Sequence, residues 1–455
     1  MDRKDPLKIS LITLGCKTNQ TDAASLAAEL TARGHEIVSS KENADAFVIH
    51  TCTVTHKTDY QARQAIRQAV ARNPEAKIVV TGCYAQVSPQ ALQAIAGVDY
   101  VVQPGKRNQI PEILLSRGKE KNAWVLSSEA GPATSFVEER LPLFTDRTRA
   151  YLKVQEGCNS FCSYCIVPHA RGRNRSLPLE RAVAQAKELA SSRFREIILT
   201  GIHLGAYGED LRPPVSLLDL LLALERAAEI PRIRLSSIEP REFNSPLVEF
   251  LSRSDKICPH LHVPLQSGDD EVLRRMNRRY SRNFFEDLIR RLVQAIPNLA
   301  VGVDVIGGFP GEDDRAFENT YDLISRLPLA YLHVFPFSKR EGTPAARFPD
   351  QVPGKVIKAR SLALRELGAK KREDFYRAFL GKNLKVLIES KRERETGLLK
   401  GFSRNYIPVL TDGAEALINR EIDLKVTEVR GEKVFGKIAS PQRAQRAQRT
   451  QRKIS

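Results

Sequence analysis

Gly157-Cys158-Asn159-Ser160-Phe161-Cys162-Ser163-Tyr164-Cys165 decides the reading of this chain. Its three cysteines fall in the spacing C-x3-C-x2-C, directly after a strand-like run, Ala150–Gln155. Three thiolates leave a four-iron cluster one protein ligand short, and the open iron is where a small molecule can bind. Zinc asks for four ligands in paired spacing, and no partner pair lies nearby. In a chain with only seven cysteines, this uneven triplet reads as an iron–sulfur site.

The same strand is the first of six candidates: Ala150–Gln155, Glu196–Gly201, Arg232–Ile238, Leu261–Leu265, Ala300–Ile306 and Tyr331–Phe335. Helical stretches such as Leu179–Ser191, Leu217–Ala228 and Phe284–Ala295 separate most of them. That alternation predicts a partial (β/α)6 barrel, whose chemistry lies at the C-terminal ends of its strands. Four loops at those ends are rich in glycine and polar groups: Thr200–Gly205, Ser236–Pro240, Pro264–Gly268 and Gly307–Glu312. Each alone reads equally well as a turn. Four on one face point to cofactor and substrate binding.

Upstream, from Lys8 to about Tyr100, short apolar runs alternate with helical stretches. Ile9–Leu14, Ala46–His50 and Lys77–Val80 read as strands, with helices over Ala23–Arg33 and Thr58–Arg72. Such repeated units argue for a doubly wound parallel sheet. Cys16, Cys52 and Cys83 each fall two or three residues past one of these strands. In a parallel sheet those ends share one edge, where ligands bind. Three cysteines far apart in sequence are therefore expected to meet on a second cluster. Cys258 fits neither triplet, precedes a strand, and reads as a buried structural thiol.

At 455 residues the chain has room for about three domains. A polar stretch with Trp124 and Phe136 reads as a linker between the first two, and includes Ser127–Pro132. From about Phe379 short strands take over: Leu384–Glu389, Tyr406–Thr411 and Ile422–Val429, with Gly397, Gly401, Gly413 and Gly431 at turns. They predict a small β-barrel of the oligonucleotide-binding sort. Lys391, Arg392, Arg394, Lys400 and Arg404, with Phe402 and Tyr406, would give it a basic, aromatic surface suited to RNA. The expected boundaries are 6–120, linker 121–145, 146–375, 378–440, and a basic disordered tail 441–455 that carries Arg443, Arg446, Arg449, Arg452 and Lys453. His169, Arg171 and Arg173 either meet phosphate or face solvent.

A net charge of +17 favours a polyanionic partner. No apolar run nears the ~20 residues of a membrane span. Met1–Pro6 runs into a strand without a signal-peptide core, so a cytoplasmic location is expected. Reduced thiols follow from that location.

With these residues in view the chain resembles the radical S-adenosylmethionine (SAM) methylthiotransferases, from Lys8 to about Ala439. The triplet with Tyr164 before its last cysteine resembles the radical-SAM signature, and the order of domains matches that family's, which ends in a TRAM domain. Leu14–Gln20, His50–Thr55, Gln155–Cys158, Leu199–Gly205 and Phe335–Pro344 resemble the branch acting on N6-threonylcarbamoyladenosine at position 37 of tRNA. Sister branches modify isopentenyladenosine-37 in tRNA or an aspartate of a ribosomal protein. The resemblance implies two [4Fe–4S] clusters. The one on Cys158, Cys162 and Cys165 would bind SAM and cleave it to methionine and a 5′-deoxyadenosyl radical. The one on Cys16, Cys52 and Cys83 would hold the sulfur, and a second SAM would supply the methyl group. Gly201, Ser237, Glu239, Gly307 and Gly308 would lie near SAM. The implied partners are the tRNA anticodon loop and an electron donor such as flavodoxin or ferredoxin. An RNA-binding redox sensor is the non-enzymatic alternative, disfavoured because sensing needs one cluster and no glycine-rich rim.

Overall fold

A computed structural model describes residues 6–116, 119–120, 122–127, 135–143, 148–227 and 229–439. The expected basic tail and most of Ser127–Pro132 lie outside them.

The N-terminal unit is a parallel sheet of β1 (Lys8–Thr13), β2 (Glu36–Val38), β3 (Ala46–Thr51), β4 (Lys77–Gly82), β5 (Tyr100–Val102) and β6 (Trp124–Leu126). Their order is β2-β1-β3-β4-β5-β6, so the chain reverses direction across the sheet between β1 and β3. Successive side chains alternate between the faces. Phe47, Ile49, Ile78 and Val80 therefore build one core, and Ile9, Val48 and Val79 the other. The segment read as a linker begins by supplying the edge strand β6. The Trp124 amide donates to Asp99 O (2.9 Å), satisfying an edge that would otherwise lie open.

The central unit is the expected partial barrel. Its strands are β7 (Arg149–Lys153), β10 (Glu196–Thr200), β11 (Arg232–Leu235), β12 (His260–His262), β13 (Ala300–Gly307) and β14 (Tyr331–Pro336). They pair in parallel in two groups of three, and the parallel bridges Ile233–Ile257 and Ser237–His262 stitch the groups together. Between β7 and β10, the short strands β8 (Gln155–Glu156) and β9 (Arg175–Ser176) pair antiparallel and clamp the base of the cysteine loop.

The helix Gly354–Arg377 leads into a closed barrel of β15 (Asn383–Arg392), β16 (Leu399–Ser403), β17 (Pro408–Thr411), β18 (Glu421–Arg430) and β19 (Lys433–Ile438). Gly401, expected at a turn, lies within β16. A Cβ there would come 2.5 Å from Leu387 O, so closing a barrel this small requires glycine.

This barrel docks on the base of the central one through a buried ionic joint. Glu196 pairs with Arg232 and Arg234, both through Nε at 2.8 Å, and all three are fully buried. Arg232 also donates to Ser403 O (3.1 Å), and Arg234 to Arg404 O (2.9 Å). Phe402 and Tyr406 stack at 5.0 Å, with the Arg149 and Arg234 guanidiniums over their rings at 4.5 and 4.6 Å. Phe402, Arg404 and Tyr406 therefore face the central barrel instead of forming an open RNA surface, because desolvated aromatic and guanidinium planes stack on each other. Lys391, Arg392 and Arg394 remain exposed. Among the described residues, no helix is long and apolar enough to cross a membrane.

Candidate active site

Cys52 directly follows β3, Cys83 directly follows β4, and Cys16 lies three residues past β1 at the N-cap of the helix Lys17–Ala32. They flank the point where the strand order reverses, the usual ligand crevice of such sheets. Gly15 lets the first turn close on the second. At its φ of +102° a Cβ would sit 2.5 Å from Cys52 Cβ. Asn19 then ties the two turns by donating to Leu14 O (2.7 Å) and Thr51 O (3.0 Å). Desolvation, with Cys83 and Cys16 alongside, pushes the Cys52 thiol up to about 12. Cys83 is also raised by burial, against the opposing charge of Arg171.

The second triplet hangs between β8 and β9. Gly157 has φ +75°, and a Cβ there would fall 1.9 Å from Arg173 O. The Cys158 amide donates to Gly172 O (3.0 Å), closing the loop's neck. Desolvation alone would raise the Cys158 thiol. Instead it is lowered, because His203 Nδ1 (3.5 Å) and the Ser160 amide (3.4 Å) favour the thiolate. Desolvation and the neighbouring Cys162 push Cys165 up to about 12. Arg278 donates to Cys162 Sγ (3.4 Å) and pairs with Glu239.

Both donor sets fit a cluster better than a single ion. All seven cysteines are free thiols. Neither triplet has its three sulfurs within 4.8 Å of one another. One zinc with bonds of ~2.3 Å would draw tetrahedral sulfurs to ~3.8 Å. Wider spacing suits a cuboidal cluster, and crowded, desolvated thiols are relieved when cations replace their protons.

A cavity of about 180 Å³ joins the two domains, with Val54 and Thr55 on one wall and Cys165, Asp304, Phe335 and Phe337 on others. Beneath it Asp304 accepts from His262 Nε2 (2.9 Å) and His333 Nδ1 (3.4 Å). Sequence reading missed this trio, because its members lie on three strands with nothing local to mark them. It also left Arg171 open. That residue is 3% exposed and donates to Cys83 Sγ, while His169 and Arg173 are exposed beside Phe161.

The remaining expected residues divide. Gly201 caps β10 where a Cβ would strike the Gln155 amide (2.8 Å). Ser237 and Glu239 lie on the loop after β11, where Ser237 bridges to His262 and Glu239 reaches the second triplet through Arg278. Gly307 and Gly308 pack against the helix Gly354–Arg377, where a Cβ on Gly308 would lie 2.4 Å from Ile357 Cγ1. Their glycines serve that close approach. Cys258 is buried 4.0 Å from Glu196 Oε2, in the joint at the barrel base.

A partial barrel with a C-x3-C-x2-C loop, joined to a three-cysteine α/β unit, defines the class as radical-SAM enzymes. Residues 152–324 match the radical SAM superfamily and residues 8–103 the uncharacterized protein family UPF0004. The chain is 41% identical, over 92% of its length and 93% of the relative's, to the threonylcarbamoyladenosine tRNA methylthiotransferase MtaB of Bacillus subtilis. It is 34% identical, over 93% and 96%, to the tRNA-2-methylthio-N(6)-dimethylallyladenosine synthase of Pelotomaculum thermopropionicum. The solved radical SAM methyltransferase TsrM from Kitasatospora setae shares the fold, with TM-score 0.53 at 15% identity, covering 74% of this chain and 76% of that one. This chain belongs to the radical-SAM methylthiotransferase family.

Proposed function

We propose that the protein methylthiolates C2 of N6-threonylcarbamoyladenosine at position 37 of tRNA, as the name of its Bacillus subtilis relative describes. The observation that carries this reading is the pair of cysteine triplets, one on each domain, beside a shared cavity that is lined by Cys165 of one triplet and by Val54 and Thr55, just past Cys52 of the other. The C2–H bond of adenine is neither acidic nor open to a protein nucleophile, so the chemistry belongs to cofactors. When bound, two [4Fe–4S] clusters and SAM supply radical generation, the sulfur and the methyl group.

The chain's own residues hold and orient. Cys158, Cys162 and Cys165 would carry the SAM-binding cluster, and Cys16, Cys52 and Cys83 the sulfur-bearing one. Gly201, Ser237, Glu239, Gly307 and Gly308 are the proposed SAM contacts, with Glu239 fixed by Arg278. Phe335 and Phe337 line the cavity and exclude water from an adenine ring. The exposed Lys391, Arg392 and Arg394 of the TRAM-type barrel (378–440) would meet the phosphates of the anticodon arm. We further assign a cytoplasmic location and an electron donor such as flavodoxin or ferredoxin.

The deciding experiment is nucleoside mass spectrometry of tRNA with and without the gene. The 2-methylthio derivative of threonylcarbamoyladenosine should disappear on deletion. Its persistence, with loss of the isopentenyladenosine derivative or of ribosomal-protein methylthiolation, would move the protein to a sister branch.

A further inference from the structure

Arg171 belongs by sequence to the second triplet's loop, six residues after Cys165, yet its side chain serves the first triplet. Its Nε–H donates to Cys83 Sγ at 3.3 Å. Nη2 donates to Asn19 Oδ1, and Asn19 in turn holds the carbonyls of Leu14 and Thr51, just before Cys16 and Cys52. One guanidinium thus touches one cysteine directly and braces the turns carrying the other two.

The guanidinium is locked in place by carboxylates. Nη1 lies 2.6 Å from Glu156 and 3.0 Å from Asp22. Asp22 also receives Lys153 (2.6 Å) and Arg107 (3.0 Å), so the seam stays populated by cations without Arg171. The second triplet has its own arginine, Arg278 on Cys162.

We propose that Arg171 is a positioning residue that sets the reduction potential of the cluster on Cys16, Cys52 and Cys83. Reduction adds negative charge to a cluster and its thiolates. A charge-assisted N–H bond to one sulfur, in a desolvated seam, stabilises that reduced state and raises the potential. This role of Arg171 rests on the two-cluster reading.

The test is a redox titration followed by electron paramagnetic resonance on the full chain reconstituted with iron and sulfide. Two backgrounds isolate the clusters: Cys158, Cys162 and Cys165 all to Ala, or Cys16, Cys52 and Cys83 all to Ala. Arg171→Gln should make the midpoint more negative in the first background and leave it unchanged in the second, at parental iron content. Arg171→Lys keeps the charge without the directed bond and should fall between. A parental midpoint for Arg171→Gln in the first background overturns the proposal, as does an equal shift in the second. Should Arg171→Gln lose its iron, Arg171→Lys carries the measurement, and an unshifted midpoint there is equally fatal. A first background that binds no iron sinks the two-cluster reading itself, whatever Arg171 does.

Discussion

Replacing Glu196 by glutamine removes the one carboxylate that both Arg232 and Arg234 meet at the base of the central barrel, leaving two guanidiniums at full burial. Its magnitude can be reached two ways. The arginines, outweighing desolvation, hold the Glu196 carboxyl down to about 2 against an ordinary 4.5, a gap worth about 3 kcal/mol. Removing one partner of a buried ion pair costs about 3–5 kcal/mol on general grounds. The lower figure fits, because Arg232 keeps Glu421 (3.1 Å) and Arg234 keeps the Ser403 and Arg404 carbonyls. Hydrogen exchange read by mass spectrometry is the assay, over peptides covering Arg232–Leu235 and Phe402–Ile407. About 3 kcal/mol of local opening energy corresponds to exchange roughly 100-fold faster in the variant. The pH dependence follows from the sign of the depression. Wild type has this contribution in full above pH 4.5 and loses it as pH falls toward 2. The Gln variant should lack that acid loss. Less than about threefold faster exchange, or an unchanged acid profile, would refute the ionic joint.

Three further outcomes are expected. Gly157→Ala places a methyl 1.9 Å from Arg173 O at positive φ, so reconstituted protein should lose about half of its iron, and full retention would contradict the loop geometry. Cys258→Ala should keep all iron and the 2-methylthio product, at a stability cost of about 1 kcal/mol by chemical denaturation, since the thiol is only packed against the joint; lost iron would make it a ligand. Asp22→Asn should loosen the seam between the first two domains. Limited proteolysis should show faster cleavage there at neutral pH, and the difference from wild type should shrink in acid, because surrounding cations overcome desolvation to hold this carboxyl well below its ordinary range.

Much of the site was legible because its signals are local. Short strand-like runs separated by helical stretches put the six barrel strands within a few residues of their positions, and a parallel sheet must bring its strand ends to one edge. Cys16, Cys52 and Cys83 could therefore be joined across 67 residues of sequence without coordinates. The spacing in Cys158–Cys165 carried its own chemistry. Two strands of the last barrel, β16 and β19, escaped notice because Gly401 and Gly436 interrupt them, and their glycines answer to barrel closure instead of to turns.

What the sequence by itself determined is which elements form, which cysteines converge and which family the chain resembles, from local patterns and from the rule that parallel strands end at one edge. Only the tertiary structure decided where the charges went. Arg171 finds Cys83 across 88 residues, and Arg234 finds the carbonyls of Ser403 and Arg404 across about 170. In the sequence each is one basic residue among many, with solvent as its ordinary partner. Burial of a guanidinium is favourable only when carboxylates, carbonyls and ring faces arrive together from other domains. Docking supplies them, turning the expected RNA-facing Phe402, Arg404 and Tyr406 inward and giving one cysteine triplet an arginine borrowed from the other's loop.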